Sequence, residues 1–215
     1  MQSELNVLEQ TNILHLKGVF SKEECAEISE QILSYKSSQT KNPDSVMLDN
    51  ANHRCWMGQP HFYGGFSKEI ESLLISNFRM ACNKYILSMP KPANITQGKN
   101  AGVDLKAWEV WAWANVNDPD SENREHVHTG YFMSGVAYFR AKNTGRIEFM
   151  PYNYTYKITH PNWPYYGTSY YEPDDGDILM FPCYLLHRVE RNKSKQQRIT
   201  MAFNATLPTN DRIIA

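Results

Sequence analysis

The apolar residues of this 215-residue chain change their repeat once, near residue 103, and that change restricts the folds open to it. Before it, Ile70, Leu74, Phe78, Ala81 and Tyr85 recur at the 3.6-residue interval that lays one apolar stripe along a helix. After it the interval is two, the signature of strands whose side chains alternate between faces. Helices first and antiparallel strands after predict an α+β fold, in which the helices cover one face of a β-sandwich or jelly roll. At this length the whole chain, 1–215, reads as one domain: a helical N-terminal support over 1–100 and a jelly-roll core over 101–206.

Local signals divide the chain further. Ile13 to Val19 reads as a short extended segment. Ser21-Lys22-Glu23-Glu24 is a capping box that opens a helix to about Tyr35. Residues 37–66, with Pro43, Gly58, Pro60, Gly64 and Gly65, read as polar and irregular. Ser67 caps the second helix, which stops before Pro90 and Pro92. Strands are expected over Val103 to Asn117, Phe132 to Arg140, Arg146 to Met150, Asp177 to Phe181, Leu185 to Val189 and Arg198 to Thr206. The first of these carries Trp108, Trp111 and Trp113, is apolar on both faces, and is therefore expected to be internal. Residues 151–175 are rich in Tyr, Pro and Asn, and read as a long loop holding a hairpin. Such a loop serves either as a substrate wall or lid, or as a packing hairpin.

Composition excludes several classes of partner. Net charge is −1 from 22 basic and 23 acidic residues, so nothing calls for nucleic acid or another polyanion. No segment approaches a membrane span and the N-terminus lacks a secretory signal. Cys25, Cys55, Cys82 and Cys183 form no CxxC pair or zinc-finger spacing, so free thiols in a reducing cytoplasm are expected. The Asn-x-Ser/Thr triplets at Asn94, Asn153, Asn192 and Asn204 then read as chance.

Three histidines and one arginine are the residues that can carry chemistry. His126 and His128, one residue apart, share a strand face; His187 lies on a later strand. Two or three imidazoles converging from neighbouring strands suit a transition metal with open coordination positions. In the last strand Ile199, Met201 and Phe203 fall on one face, and Arg198, Thr200, Ala202 and Asn204 on the other. A polar face of that kind in an apolar strand needs buried partners, and an Arg fork takes a carboxylate bidentately. Tyr138 shares a face with Ser134 and Val136 and can donate its hydroxyl to the same carboxylate. Taken singly, each of these residues also has an ordinary reading, as a surface histidine pair, a core His or Tyr, or a solvated edge strand. His15, His53, His61 and His160 have no partner at ligand spacing and read as structural or exposed.

As an ordered set, these segments resemble the Fe(II)- and 2-oxoglutarate-dependent dioxygenases of double-stranded β-helix fold. The likeness is greatest to those of phages and marine bacteria, with a prolyl-hydroxylase-like helix-opening segment at Phe20 to Ile32. The motifs that carry it are Trp113-Ala114-Asn115, His126-Val127-His128, Ser134-Gly135-Val136-Ala137-Tyr138, Gly176-Asp177, Phe181 to His187, Arg198-Ile199-Thr200 and Phe203-Asn204, over roughly residues 108–206. The resemblance implies His126, His128 and His187 as iron ligands, and Arg198 as the clamp on the distal carboxylate of 2-oxoglutarate. Tyr138 and Thr200 would assist, with Asn115 and Asn204 in the same co-substrate pocket. Fe(II), 2-oxoglutarate and O2 are the implied cofactor and co-substrates. The implied activity is hydroxylation of an unactivated C–H bond, in a peptide or protein side chain or a small metabolite, with release of succinate and CO2. A phage-infected host cell is one implied setting. The chain departs from the family pattern at His128, where most members have Asp or Glu. That residue either ligates the metal or sits beside it, and an all-nitrogen site would also accept zinc or copper. Two other readings of the same residues are a cupin-like metal protein without 2-oxoglutarate chemistry and a non-catalytic β-sandwich module.

Overall fold

Ser21 and Glu24 form the reciprocal cap expected of them: the Glu24 amide donates to Ser21 Oγ at 3.2 Å and the Ser21 amide to Glu24 Oε2 at 2.7 Å. The helix they open, α1, runs over Lys22–Gln39, one turn beyond Tyr35. Ser67 caps α2, Lys68–Ser88, accepting from the Ile70 amide at 3.3 Å. The stripe Ile70, Leu74, Phe78, Ala81 and Tyr85 is buried along its length. These features come from a computed structural model that describes residues 11–39, 52–58, 65–89, 108–150 and 169–206. Among the described residues no helix is long and apolar enough to cross a membrane.

Among the described residues nine strands accompany the two helices: β1 Leu14–Leu16, β2 Asn52–Gly58, β3 Glu109–His126, β4 Met133–Arg140, β5 Ile147–Phe149, β6 Ser169–Tyr171, β7 Ile178–Pro182, β8 His187–Val189 and β9 Arg198–Thr206. They pair antiparallel in the order β1-β7-β4-β9-β3-β8-β5-β6, with β2 added to β3. This curled antiparallel sheet with two helices is the α+β, double-stranded β-helix architecture expected from the period change.

Two differences from the sequence reading stand out. The first long strand is β3, Glu109–His126, and it continues past Asn117 to the first histidine. It does so through an irregularity: β2 residues Cys55 and His53 pair with Asn117 and Glu122, leaving 118–121 out of register. Asp120 there has φ 67°, and Asn192 ties the bulge down, donating its amide to Ser121 O and accepting from the Asp120 amide through its own carbonyl. A bulge conceals a strand from a period-two pattern, because it breaks the alternation. The second difference is β2 itself, which lies within the stretch read as irregular. Its side chains alternate poorly in polarity, and pairing with β3 outweighs local propensity. The expected loop 151–175 is described only from residue 169, where β6 pairs with β5; residues 151–168 lie outside the described residues.

The alternation in β9 sets the layers. Ile199, Met201, Phe203 and Ala205 join the core under the helices, with Phe203 stacked on Phe78 at 4.2 Å between ring centroids. Ala112, Ala114 and Val116 of β3, and Met133, Ala137 and Phe139 of β4, face the same way. Gly135 belongs to that layer because a Cβ there would overlap the Phe203 ring and the Met180 sulfur. A second, smaller core with Tyr138, Ile147, Phe149, Leu179, Phe181 and Leu185 lies on the other side of the sheet.

The Gly176-Asp177 motif is a structural tie. Gly176 has φ 90°, its amide donates to Tyr138 O at 2.7 Å, and its carbonyl accepts from the Val19 and Phe20 amides. Asp177 accepts from the Gly18 amide at 2.9 Å and meets His15 Nε2 at 2.7 Å, so His15 has the structural place expected of it. A Cβ on Gly176 would run into the Phe20 carbonyl as well as strain the backbone. Gly176→Ala is expected to cost about 1–3 kcal/mol in a urea unfolding experiment. An unchanged midpoint would show that the N-terminal segment is not held through this turn.

Candidate metal centre and anion pocket

The sheet places the candidate residues in rows. Across β3, β9 and β4, Asn115 pairs with Thr200 and Thr200 with Tyr138. The next row of the same face is Trp113, Ala202 and Val136, and the next is Trp111, Asn204 and Ser134. Arg198 pairs with Asn117 at the far end. Across the bulge, His126 pairs with His187, and His187 with Phe149 of β5. His128 follows two residues after His126, with its amide donating to Cys183 O at 2.9 Å.

The three histidines come together. Their candidate ligand atoms all lie within 4.8 Å of one another. Ring centroids are 4.3 Å apart for His126 and His187, and 5.1 Å for each pair that includes His128. Two of the rings are oriented by backbone carbonyls: His126 Nδ1 donates to Arg124 O at 2.7 Å and His187 Nδ1 to Leu185 O at 2.8 Å. Only an N–H can face a carbonyl, so in both rings Nδ1 holds the proton and Nε2 carries the free lone pair. Arg188 of β8 bridges Glu148 of β5 and Glu125 of β3, tying the strands of His126 and His187 to each other and to β5.

Histidines and arginine face one cavity of about 340 Å³, lined among others by Trp111, Trp113, Asn115, His126, His128 and His187, and by Arg198, Thr200 and Asn204 at its other end. That volume falls at the lower end of small-molecule pockets, roughly 300–1,000 Å³. Arg198 is only 1% exposed, and its Nε and Nη1 have no hydrogen-bond partner among the described residues. Tyr138 is buried beside it, the guanidinium 5.4 Å from the ring centroid, and the Tyr138 hydroxyl likewise has no partner among those residues. Tyr138 lies behind Arg198 and does not line the cavity. Ser134 Oγ donates to Asn204 Oδ1 at 2.7 Å, which leaves the Asn204 amide hydrogens available to donate elsewhere.

Residues 111–204 match a protein family described as "Putative 2OG-Fe(II) oxygenase". The match includes the three histidines, Arg198 and the three rows of the cavity wall. Among solved structures, a prolyl-4-hydroxylase of Pseudomonas putida is similar over 92% of this chain and 94% of its own, at 10% identity and TM-score 0.56. The epimerase SnoN, in complex with Fe3+, alpha ketoglutarate and nogalamycin RO, is similar over 93% of this chain and 80% of its own, at 12% identity and TM-score 0.61. A Trichoplax adhaerens prolyl hydroxylase, in complex with a peptide fragment of the hypoxia inducible factor oxygen degradation domain, is similar over 94% of this chain and 86% of its own, at 9% identity and TM-score 0.56. At these identities the likeness is one of fold. No curated protein matches the sequence.

The residues fit the iron and 2-oxoglutarate of such oxygenases. The three imidazoles can bind iron: they converge, and His126 and His187 present Nε2 lone pairs. With Nε and Nη1 buried and unpartnered among the described residues, the Arg198 guanidinium is an open anion-binding fork, since leaving such donors unpaired is costly. Burial pushes the His187 pKa down from 6.5 to about 3, with the neighbouring His126 adding to it, and pushes His128 down to about 4. Both rings are thus neutral, the form that ligates, well below neutral pH.

Those shifts fix a pH dependence for the metal-free protein. The unfolded chain protonates His187 near pH 6.5, the folded one only near 3. The unfolded state therefore binds more protons in between, and stability that is full above 6.5 falls as the pH is lowered. Going from pH 7 to pH 5 is expected to cost about 2 kcal/mol through His187 alone, with His128 acting in the same direction. Urea midpoints of metal-free protein at the two pH values measure it, and His187→Gln should flatten the difference. Equal midpoints for the parent protein would show that His187 is not shielded from protons.

What sequence reasoning missed at the site is Asn123, Met57 and the cavity-facing side of Trp111. Met57 sits on the unrecognised β2 and Asn123 lies just past the bulge, so neither was on a readable strand. Trp111 shares a face with Trp113 and Asn115, and that spacing was a usable signal. His61 and His160 lie outside the described residues, as does the His53 side chain.

Proposed function

We propose that this chain is an Fe(II)- and 2-oxoglutarate-dependent dioxygenase. In this reading it hydroxylates an unactivated C–H bond of a peptide or protein side chain or a small metabolite, releasing succinate and CO2. The observation that supports it most is the buried Arg198, with Nε and Nη1 unpartnered among the described residues, lining the cavity into which three histidines converge. A metal site alone fits many proteins; a metal site with a buried carboxylate fork across the same cavity fits an oxo-acid co-substrate. The motif order is also like that of oxygenases from phages and marine bacteria.

His126, His128 and His187 hold the metal through imidazole nitrogens, and Arg198 takes the distal carboxylate of 2-oxoglutarate. Thr200, two residues on in β9 and on the same cavity wall, is a further donor to that carboxylate, while Tyr138, beside the guanidinium but outside the cavity lining, supports Arg198. Asn115 and Asn204 contribute polar groups along the same cavity wall. Bound iron supplies the redox chemistry that couples decarboxylation of the co-substrate to oxidation of a C–H bond. Trp111 and Trp113 line the cavity and restrict water around the reacting groups.

Anaerobic titration with Fe(II) and then 2-oxoglutarate tests this reading. A weak visible absorption band that needs both additions is expected, followed by succinate formation on admitting oxygen. Folded protein that never develops the band would overturn it.

A further inference from the structure

Three imidazoles and no carboxylate leave this site short of negative charge. A ligating His contributes none, whereas a carboxylate in the place of His128 would contribute one. No Asp or Glu among the described residues lines the cavity. The nearby carboxylates are engaged elsewhere: Glu148 and Glu125 by Arg188, Glu122 by Arg191, Glu190 by Arg146, and Asp118 by Lys36 and Gln197. Among the described residues the cavity's fixed charge is positive, from Arg198, which is buried and has no anionic partner there.

Charges can then be followed through loading. A divalent cation and Arg198 bring three positive charges, the two carboxylates of 2-oxoglutarate bring two negative ones, and one positive charge remains in the cavity, with Arg198 itself fully buried. Uncompensated charge beside a buried guanidinium is costly, and it favours any ligand that neutralises it. Donors for such a ligand are present in Asn204, whose amide hydrogens are not used by Ser134, and in Asn115 on the same face. Trp111 stands beside Asn204 across the strands, 47% exposed at the cavity, and offers a flat apolar wall to the body of the ligand.

We infer that the metal- and 2-oxoglutarate-loaded cavity selects a monoanion, so that the substrate carries one negative charge on a flat or apolar body. The inference rests on the oxygenase reading above. The same charge could be met by a small inorganic anion from solvent, and the two sources share one chemistry.

Full-length protein loaded with Co(II) and saturating 2-oxoglutarate provides the test, read by the visible d–d bands and by calorimetry. The probes are benzoate, its neutral isostere benzamide, and azide. Benzoate is expected to bind at least tenfold tighter than benzamide, without displacing 2-oxoglutarate. His128→Asp, which restores the negative charge, is expected to keep Co(II) and lose at least tenfold in benzoate affinity. Azide binding that matches or exceeds benzoate, with the same loss in His128→Asp, supports the monoanion site and assigns it to a solvent anion. Equal affinity for benzoate and benzamide with no azide effect, or anion affinity unchanged in His128→Asp, overturns the inference while leaving the oxygenase reading intact. Failure of Co(II) or 2-oxoglutarate to change the spectrum at all rejects that reading, and the inference with it.

Discussion

Arg198→Met is expected to weaken 2-oxoglutarate binding at least a hundredfold while making the ligand-free protein more stable. The two halves of this result have one cause. Arg198 is 1% exposed, burial holds its pKa below the ordinary value, and two of its nitrogens have no partner among the described residues. Without co-substrate the guanidinium is therefore a buried charge beside the neutral Tyr138, with no anionic partner among the described residues. Replacing it by an apolar side chain of similar length removes that cost, and a gain of about 1 kcal/mol or more in urea unfolding is expected. With co-substrate the order reverses. The parent protein gains about 2.7 kcal/mol at a ligand concentration a hundred times Kd, and the variant gains almost nothing. A variant that is destabilised when ligand-free, or that keeps its 2-oxoglutarate affinity, would remove Arg198 from the pocket's chemistry.

His187→Ala is expected to abolish metal retention. The ring is 3% exposed, lies opposite His126 in register, and has its Nδ1 proton fixed on Leu185 O, so its Nε2 is the most rigidly presented donor of the three. Loss of a partner just outside a metal's ligand set typically costs 10–100-fold in affinity; loss of a ligand should exceed about a hundredfold. Equilibrium dialysis against Co(II) or Zn(II) measures it. The variant also leaves a small cavity and an unpaired carbonyl, so far-ultraviolet circular dichroism must accompany the dialysis. His187→Gln, which retains a donor for the Leu185 carbonyl, separates lost fold from lost ligation. Metal affinity within a factor of ten of the parent in folded variants would move the site elsewhere.

Much of this architecture was legible in the chain because its rules are local. The stripe on α2, the Ser21–Glu24 cap and the alternation of β9 each follow from residues a few positions apart. The face shared by Arg198, Thr200, Ala202 and Asn204 became the cavity wall, and the opposite face became the core against the helices. What was not legible depended on distant pairing. The strand Asn52–Gly58 exists because β3 offers it an edge, and its own residues do not announce it. The stretch of β3 beyond Asn117 was hidden by the four-residue irregularity that carries His126 across to β8. The Gly176-Asp177 pair was readable as a motif, but its role as a clamp on the N-terminal segment needed the contact between Gly176 and Phe20.

The position of β9 has a consequence for how the protein is made. This strand is the last described along the chain, yet it lies between β3 and β4 in the middle of the sheet. A nascent chain that has emerged as far as Val189 holds all three histidines, but its sheet is split, and α2 has no Phe203 to stack on. Pairings such as Asn117 with Arg198 and Trp111 with Asn204 span most of the strand region, a topology that closes slowly. During synthesis the β3–β8 pair that sets His126 opposite His187 is therefore translated before β9, and the strand that carries Arg198, Thr200 and Asn204 is the last part of the cavity wall to be added.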